Sequence, residues 1–106
     1  MLRVSAVYPN TSGSHFDGGY YVATHTPFAE NLLRPHGLRG LRITLGAESL
    51  DGAPPPYWAI AEMLFESRAH FDAAMAACGA ALFEDAPHYT NATPALQIST
   101  LGGDTA

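Results

Sequence analysis

Four short stretches of the chain have the residue pattern of β-strands, at residues 2–9, 38–46, 57–66 and 95–100. In the first, "LRVSAVYP", every second residue is apolar until a proline ends the pattern, because proline cannot donate to a sheet ladder. The third, "YWAIAEMLFE", is largely apolar on both faces, which is typical of a central strand covered on both sides. The pattern therefore predicts a four-stranded sheet with residues 57–66 inside it.

The stretch "DGGYYVATHTPFAENLL" predicts a first amphipathic helix. Asp17 is a suitable N-cap, and Phe16 before it can pack against Tyr21 as a hydrophobic staple. Because Pro27 lacks an N–H and crowds the preceding turn, we expect it to kink the helix or to split it near Thr26. The apolar stripe that should face the sheet consists of Tyr21, His25, Phe28 and Leu32.

Gly37 is a natural C-cap for the first helix. A second helix is predicted over residues 68–85, with Ser67 as its N-cap. The apolar stripe of this second helix consists of Phe71, Ala74, Met75, Cys78 and Leu82. The order β-α-β-β-α-β predicts an α+β, ferredoxin-like fold, in which an antiparallel four-stranded sheet carries both helices on one face. The other sheet face is also apolar, so we expect a second copy of the chain to cover it in a homodimer.

Composition narrows the class of protein. The 106 residues fit one domain, which we place at 1–101, followed by a tail at 102–106 that we expect to be disordered. Five arginines, no lysine and ten acidic residues argue against a nucleic-acid or anionic-membrane partner. A single cysteine, no signal-peptide pattern and no membrane-spanning apolar run lead us to expect a cytoplasmic protein.

Four segments resemble the EthD family, a group of small bacterial proteins and fungal domains named after ethyl tert-butyl ether degradation. They are "VSAVYPN", "FDGGYYVATHTP", "PYWAIAEMLFES" and "PHYTNATPALQIS", in that order and with matching spacing over nearly the whole chain. The most specific part runs from Phe16 to Pro27. The family pattern often has Pro-Asn-Tyr-Thr where this chain has "PHYT", so His88 places a titratable ring at that position.

The resemblance implies the dimeric α+β barrel fold, in which two ferredoxin-like sheets pack into one barrel. It also implies a grouping with oxidoreductases. Structural relatives of the family include cofactor-free monooxygenases of polyketide quinones, polyketide cyclases, muconolactone isomerases and some haem enzymes.

His25 and Tyr21 are the candidate catalytic residues. His25 shares the inward stripe of the first helix, where an imidazole can act as a general base or acid near neutral pH. Tyr21 lies one turn earlier and can bond to the ring or to the same ligand. The alternative is a structural histidine that bonds to a backbone carbonyl and stabilises the kink at Pro27.

Aromatic residues with polar tips are the candidate substrate-binding groups. They could line a pocket for a flat, aromatic metabolite, although each could equally be ordinary core packing. Trp58 could instead lie in the dimer interface, where tryptophan is enriched. The candidate substrate-binding residues are Tyr8, Tyr20, Trp58 and His88.

Glu62 lies among apolar neighbours in the middle of a strand. It could be a buried carboxylate with basic character, but we favour a pair with an arginine such as Arg42. No His-x-His or His-x-x-x-His pair occurs, so we expect no metal site, and no motif demands a resident cofactor. Cys78, on the second helical stripe, is expected to be buried and inert.

Three functions are compatible with these features. The leading hypothesis is a cofactor-independent oxidoreductase of monooxygenase type, or an accessory protein of oxidative catabolism, acting on a small hydrophobic or aromatic metabolite. In a related version the same base drives a cyclase or isomerase reaction. The second hypothesis is a non-catalytic dimer that binds a small ligand, such as a haem, and the third is a purely structural dimer with a filled core.

Overall fold

The computed structural model describes residues 1–105. Four antiparallel strands form one sheet, with the spatial order β2-β3-β1-β4. This order, with two helices packed on one face, is the ferredoxin-like α+β arrangement that the sequence predicted. The strands are β1 (Leu2–Pro9), β2 (Leu38–Leu45), β3 (Tyr57–Phe65) and β4 (Ala95–Ser99).

The register of β1 against β3 fixes which side chains face the helices. Ala6 pairs with Ala61 and Tyr8 with Ala59, and all four are buried. The alternate residues, including Val7 opposite Ile60, lie on the face that carries no helix, because successive side chains of a strand point to opposite faces. As expected, β3 is an inner strand of the sheet, between β2 and β1.

The first helix, residues 18–33, consists of three consecutive segments. Gly18–Tyr20 is α-helical, Tyr21–His25 is a π-helical turn, and Thr26–Leu33 is α-helical again. The backbone stays helical through Thr26, so the helix changes there from π to α spacing instead of splitting as the sequence predicted, and Pro27 lies in the first turn of the segment that follows. The N–H of Thr26 bonds to the Tyr21 carbonyl five residues back, which is the π-helical spacing.

The predicted ends of the first helix are confirmed. The Asp17 carboxylate accepts from the N–H of Tyr20 at 3.0 Å. The rings of Phe16 and Tyr21 meet edge to face, with centroids 5.0 Å apart. Beyond a 3-10 turn, Gly37 has a φ of 97°, the left-handed conformation in which glycine meets no Cβ penalty.

The inward stripe of the first helix differs from the prediction in its second half. Phe28 is 39% exposed, and the buried residues after His25 are Ala29 and Leu33. The π turn widens the helix by about one residue, so that the stripe continues at spacings of four. A prediction based on a uniform α-helical period therefore placed Phe28 inward wrongly, whereas Leu32 is partly buried against the core.

The second helix, Arg68–Asp85, begins at the predicted cap, where Ser67 Oγ accepts from the N–H of His70 at 3.2 Å. Ala74 and Cys78 are buried against the sheet. A 3-10 turn, Ala86–His88, follows directly. Residues 101–105 have no regular secondary structure and are exposed, whereas residue 106 of the predicted tail lies outside the described residues.

Glu62 corrects one prediction. Its carboxylate bonds to Arg3 on β1 at 2.8 Å rather than to Arg42, and its side chain is 44% exposed. Glu62 lies on the sheet face without helices, where its carboxylate is paired with Arg3. The structure therefore supports the pair with an arginine rather than an unpaired buried base.

Within residues 1–105, no helix has both the length and the apolar composition that a membrane span requires.

Candidate functional site

A cavity of about 100 Å³ lies between the two helices and the sheet. Its walls come from both helices, from the buried face of the sheet and from the segment before β4. Most lining side chains are apolar, among them Leu41, Met63, Phe71, Met75, Leu82 and Leu96. Polar groups in the walls come from the first helix, which contributes Tyr21, His25 and Thr26, and from Tyr8 and Tyr89.

His25 is 8% exposed and bonds to a carboxylate on the other helix. Its Nδ1 lies 2.8 Å from Oδ2 of Asp85, the last residue of the second helix. Because an ionised carboxylate only accepts hydrogen bonds, Nδ1 must carry the proton of this bond. If His25 were only structural, we expected its ring to bond to a backbone carbonyl. Its partner is instead the side-chain carboxylate of Asp85.

The other ring nitrogen of His25, Nε2, belongs to a side chain that lines the cavity. Among residues 1–105, no buried side-chain nitrogen or oxygen lacks a hydrogen-bond partner, and no bond to Nε2 is formed. Nε2 is therefore accessible rather than sealed in the core. With Nδ1 protonated, the neutral ring holds a lone pair on Nε2, which is the tautomer of a general base.

Asp85 holds three side chains together at the end of the second helix. Its Oδ1 accepts from the Tyr20 hydroxyl at 2.9 Å and lies 3.2 Å from His88 Nδ1. The hydrogen bond from His25 is the main cause that lowers the pKa of the Asp85 carboxyl, and Tyr20 and His88 add to it. The hydrogen bond from the Tyr20 hydroxyl to Asp85 is in turn the main cause that raises the pKa of the Tyr20 phenol. Asp85 therefore stays ionised and Tyr20 neutral near pH 7.

Two phenols contact the imidazole, and a third bonds to one of them. The ring of Tyr21 stacks on His25 with centroids 5.3 Å apart, and Tyr89 lies 4.7 Å from it. The Tyr8 and Tyr89 hydroxyls are 2.9 Å apart. Burial, followed by the neighbouring phenols, raises the pKa of Tyr21 and Tyr89 far above the ordinary value. These hydroxyls therefore remain neutral hydrogen-bond donors.

The structure brings five of the six predicted site residues to this region. Tyr8, Tyr21 and His25 line the cavity, whereas Tyr20 and His88 contact Asp85 behind the imidazole. The sixth residue, Trp58, does not line the cavity. Its Nε1 donates instead to Ser14 Oγ in the loop after β1, at 2.9 Å.

Sequence reasoning missed Asp85 and Tyr89. An acidic residue at a helix C-terminus is unfavourable, because it lies at the negative end of the helix dipole. Asp85 occupies such a position, and this feature of the sequence could have indicated that its carboxylate has a specific partner. Tyr89 lies in a segment that reads as a loop, and nothing local distinguishes it from an exposed residue.

No metal cluster exists in the described part of the chain, since no three His, Cys, Asp or Glu side chains converge as ligands there. Cys78 is buried, as predicted, and its thiol lies 3.5 Å from the Leu32 carbonyl.

The fold and this cavity define a small α+β protein with a His–Asp pair beside an apolar chamber. The model of the EthD domain matches residues 9–93, which is most of the chain. This protein therefore belongs to the EthD family.

Solved structures agree with this assignment. An EthD-like protein from Ralstonia eutropha JMP134 is 32% identical, with a TM-score of 0.88 over 99% of this chain and 95% of that one. An ethyl tert-butyl ether degradation (EthD) family protein from Bacillus halodurans C-125 is 25% identical, with a TM-score of 0.68 over 95% and 98% of the two chains.

An antibiotic biosynthesis monooxygenase is 12% identical, with a TM-score of 0.54 over 97% of this chain and 100% of that one, which shows a shared fold alone. Comparison with curated proteins found no match.

Proposed function

We propose that this EthD-family protein is a cofactor-independent enzyme of oxidative catabolism that removes a proton from a small hydrophobic or aromatic metabolite. The observation that carries the proposal is the His25–Asp85 hydrogen bond at the wall of an apolar cavity. The bond orients the imidazole, and the cavity gives an uncharged substrate a place next to Nε2. His25 is the proposed catalytic base.

The proposed step needs only side chains of this chain. Nε2 of His25 takes a proton from an activated phenol or an enolisable carbonyl compound, and Asp85 stabilises the imidazolium that results. The negative charge moves to the substrate oxygen. The neutral hydroxyls of Tyr8, Tyr21 and Tyr89 belong to side chains that line the cavity and supply hydrogen bonds to that oxygen.

The anion formed in this step has two fates. In the monooxygenase version it reacts with O₂, so that a CH₂ group of the substrate becomes a carbonyl and the other oxygen atom leaves as water. In the isomerase or cyclase version no oxidant is used, and the substrate regains a proton at another carbon or closes a ring.

The size of the cavity favours a small substrate. A cavity of about 150 Å³ holds one benzene molecule, so that a chamber of about 100 Å³ suits a compact compound no larger than benzene. A polyketide with several fused rings requires more room. The polar groups among the lining side chains favour a catalyst over a simple carrier of apolar ligands.

We also propose that the protein forms a two-fold homodimer through the sheet face without helices. Val7, Ile60 and Leu64 lie on this face, and Ile60 is 40% exposed. A second copy would remove these apolar side chains from water. Light scattering should give the dimer mass for the wild type and the monomer mass for Ile60→Arg. A wild-type monomer at micromolar concentration would overturn this part of the proposal.

The cytoplasm is the compartment we propose, since a single cysteine suits a reducing environment.

Deuterium exchange tests the proposed proton abstraction directly. Wild-type protein is incubated in D₂O with a panel of small phenols and β-diketones, and NMR measures how fast each C–H is replaced by C–D. We expect accelerated exchange for at least one compound and a loss of about 100-fold or more in His25→Gln. His36→Gln is the matched control, because it also removes an imidazole, but one that lies beyond the far end of the first helix. The substrate should exchange at the wild-type rate in this variant.

Oxygen uptake in the same samples separates the two fates of the anion. Exchange accompanied by uptake of O₂ supports the monooxygenase version, and exchange without uptake supports the isomerase version. Exchange at equal rates in wild type, His25→Gln and protein-free buffer would overturn the proposal.

A further inference from the structure

Asp85 connects two imidazoles that differ in their access to solvent. His25, with 10% of its side chain exposed, bonds to Oδ2, whereas His88, with 66% exposed, lies against Oδ1. Nδ1 of His88 also lies 3.3 Å from the Asp85 carbonyl oxygen. Since both neighbours are acceptors, this Nδ1 carries a proton, and the ring gains a full positive charge when its second nitrogen binds one.

The position of the His88 ring is fixed by its surroundings. It stacks on Tyr20, with centroids 5.9 Å apart and planes at 25°. Tyr20 in turn donates to the same carboxylate oxygen that faces His88. An exposed side chain with a defined stacking partner and two acceptors at Nδ1 is held beside Asp85 rather than turned into solvent.

We propose that His88 is a positioning residue that competes with His25 for the Asp85 carboxylate and thereby keeps the His25 ring neutral, and basic, to lower pH. When His88 is charged, it draws on the negative charge that would otherwise stabilise the His25 imidazolium. Proton uptake by His25 then becomes less favourable.

The other side chains that contact the two imidazoles or Asp85 do not change charge between pH 5 and 8. Tyr20 faces Asp85 from the first helix, Tyr8 lies on β1, and Tyr21 and Tyr89 contact the His25 ring. All four are phenols, which stay neutral near pH 7. Among the described residues that bond to Asp85, only the two histidines therefore gain or lose a charge between pH 5 and 8.

The catalytic consequence of this competition rests on the proposed function, but the electrostatic link between the two rings does not. Long-range proton–nitrogen NMR spectra follow each imidazole from about pH 4 to pH 9 without any substrate. Replacing His88 by asparagine keeps a side chain that bonds to Asp85 and removes the charge. We expect the titration midpoint of His25 to be higher in His88→Asn than in the wild type.

Two further variants make the test specific. In His88→Lys a positive charge is present throughout the range, so the His25 midpoint should lie well below that of His88→Asn. His36→Asn is the control, because His36 lies beyond the far end of the first helix. It should leave the His25 midpoint unchanged.

The inference fails if His88→Asn leaves the His25 midpoint in place or lowers it, or if His36→Asn shifts it equally. The deuterium exchange rate of the substrate is also measured against pH. The inference fails if this rate falls over the same acidic pH range in the wild type and in His88→Asn. An inactive protein whose His25 midpoint responds to His88 as expected would overturn the proposed function and leave the competition for Asp85 standing.

Discussion

Nδ1 of His25 and Oδ2 of Asp85 are 2.8 Å apart, although 60 residues separate them in the chain. The π turn of the first helix supplies the imidazole, and the last residue of the second helix supplies the carboxylate. Both helices pack on the same sheet face, so the bond also ties their adjoining parts together. The contact therefore has consequences for stability as well as for the proposed chemistry.

The first prediction concerns the pH dependence of stability. The folded protein lowers the pKa of Asp85 below its value of about 3.9 in the unfolded chain, so the unfolded state binds the proton more tightly. The stabilisation is complete above the unfolded pKa and disappears as the pH falls through the folded pKa. We therefore expect the difference in unfolding free energy between wild type and Asp85→Asn to be larger at about pH 5 than at about pH 3.

Urea denaturation at the two pH values measures this difference. A difference that stays constant or grows on acidification would show that Asp85 is not stabilised as an anion in the folded state.

The second prediction concerns the hydroxyl pair on the cavity wall. Tyr89→Phe removes one partner of the Tyr8 hydroxyl and should cost about 1–3 kcal/mol in unfolding free energy. It should also slow the proposed exchange reaction, because a donor to the substrate oxygen is lost. Tyr57→Phe is the control, since Tyr57 is 45% exposed and should change neither quantity by much. Equal effects of the two variants on stability and exchange would count against the role of the pair.

The third prediction compares two glycines with positive φ. One of them, Gly37, also lacks the room for a Cβ atom. At Gly37 φ is 97°, and an added Cβ would lie 2.7 Å from Cδ2 of His70. Gly13 has a φ of 79° but open space around it. Gly13→Ala should therefore cost only the conformational penalty of about 1 kcal/mol, and Gly37→Ala clearly more. Thermal melts compare the two variants, and equal losses would mean that His70 moves aside freely.

The fourth prediction concerns Phe71 and Trp58, two of the partly buried aromatic residues that pack against the core. Phe71 meets Phe65 edge to face at 5.3 Å and also lines the cavity, so Phe71→Ala should cost about 2–3 kcal/mol. Trp58→Phe loses mainly the bond to Ser14 and should cost about 1 kcal/mol. Chemical denaturation measures both, and a larger loss for Trp58→Phe would contradict the packing described above.

Most of the fold could be predicted from local patterns. The strands follow from alternation, and the helix ends follow from Asp17, Ser67 and Gly37, each of which satisfies or permits backbone geometry within a few residues. These features depend on near neighbours in sequence. For that reason, a single chain contains enough information to place them.

The contacts that complete the candidate site could not be predicted in the same way. Tyr21 and His25 lie on the predicted stripe, but the π turn changed the residues that follow them, so Phe28 faces outward. Asp85 joins His25 only because the two helices pack side by side. Likewise, Glu62 pairs with Arg3 instead of Arg42, because side-chain geometry between neighbouring strands selects the partner.

A double-mutant cycle on the deuterium exchange rate tests the central claim, that His25 and Asp85 act together as a base, most directly. It compares wild type, His25→Gln, Asp85→Asn and the double variant, all confirmed as folded. We predict a loss of about 100-fold or more for His25→Gln and about 10-fold or more for Asp85→Asn, with the double variant no slower than His25→Gln. Wild-type rates in either single variant, or losses that multiply in the double variant, would contradict the claim.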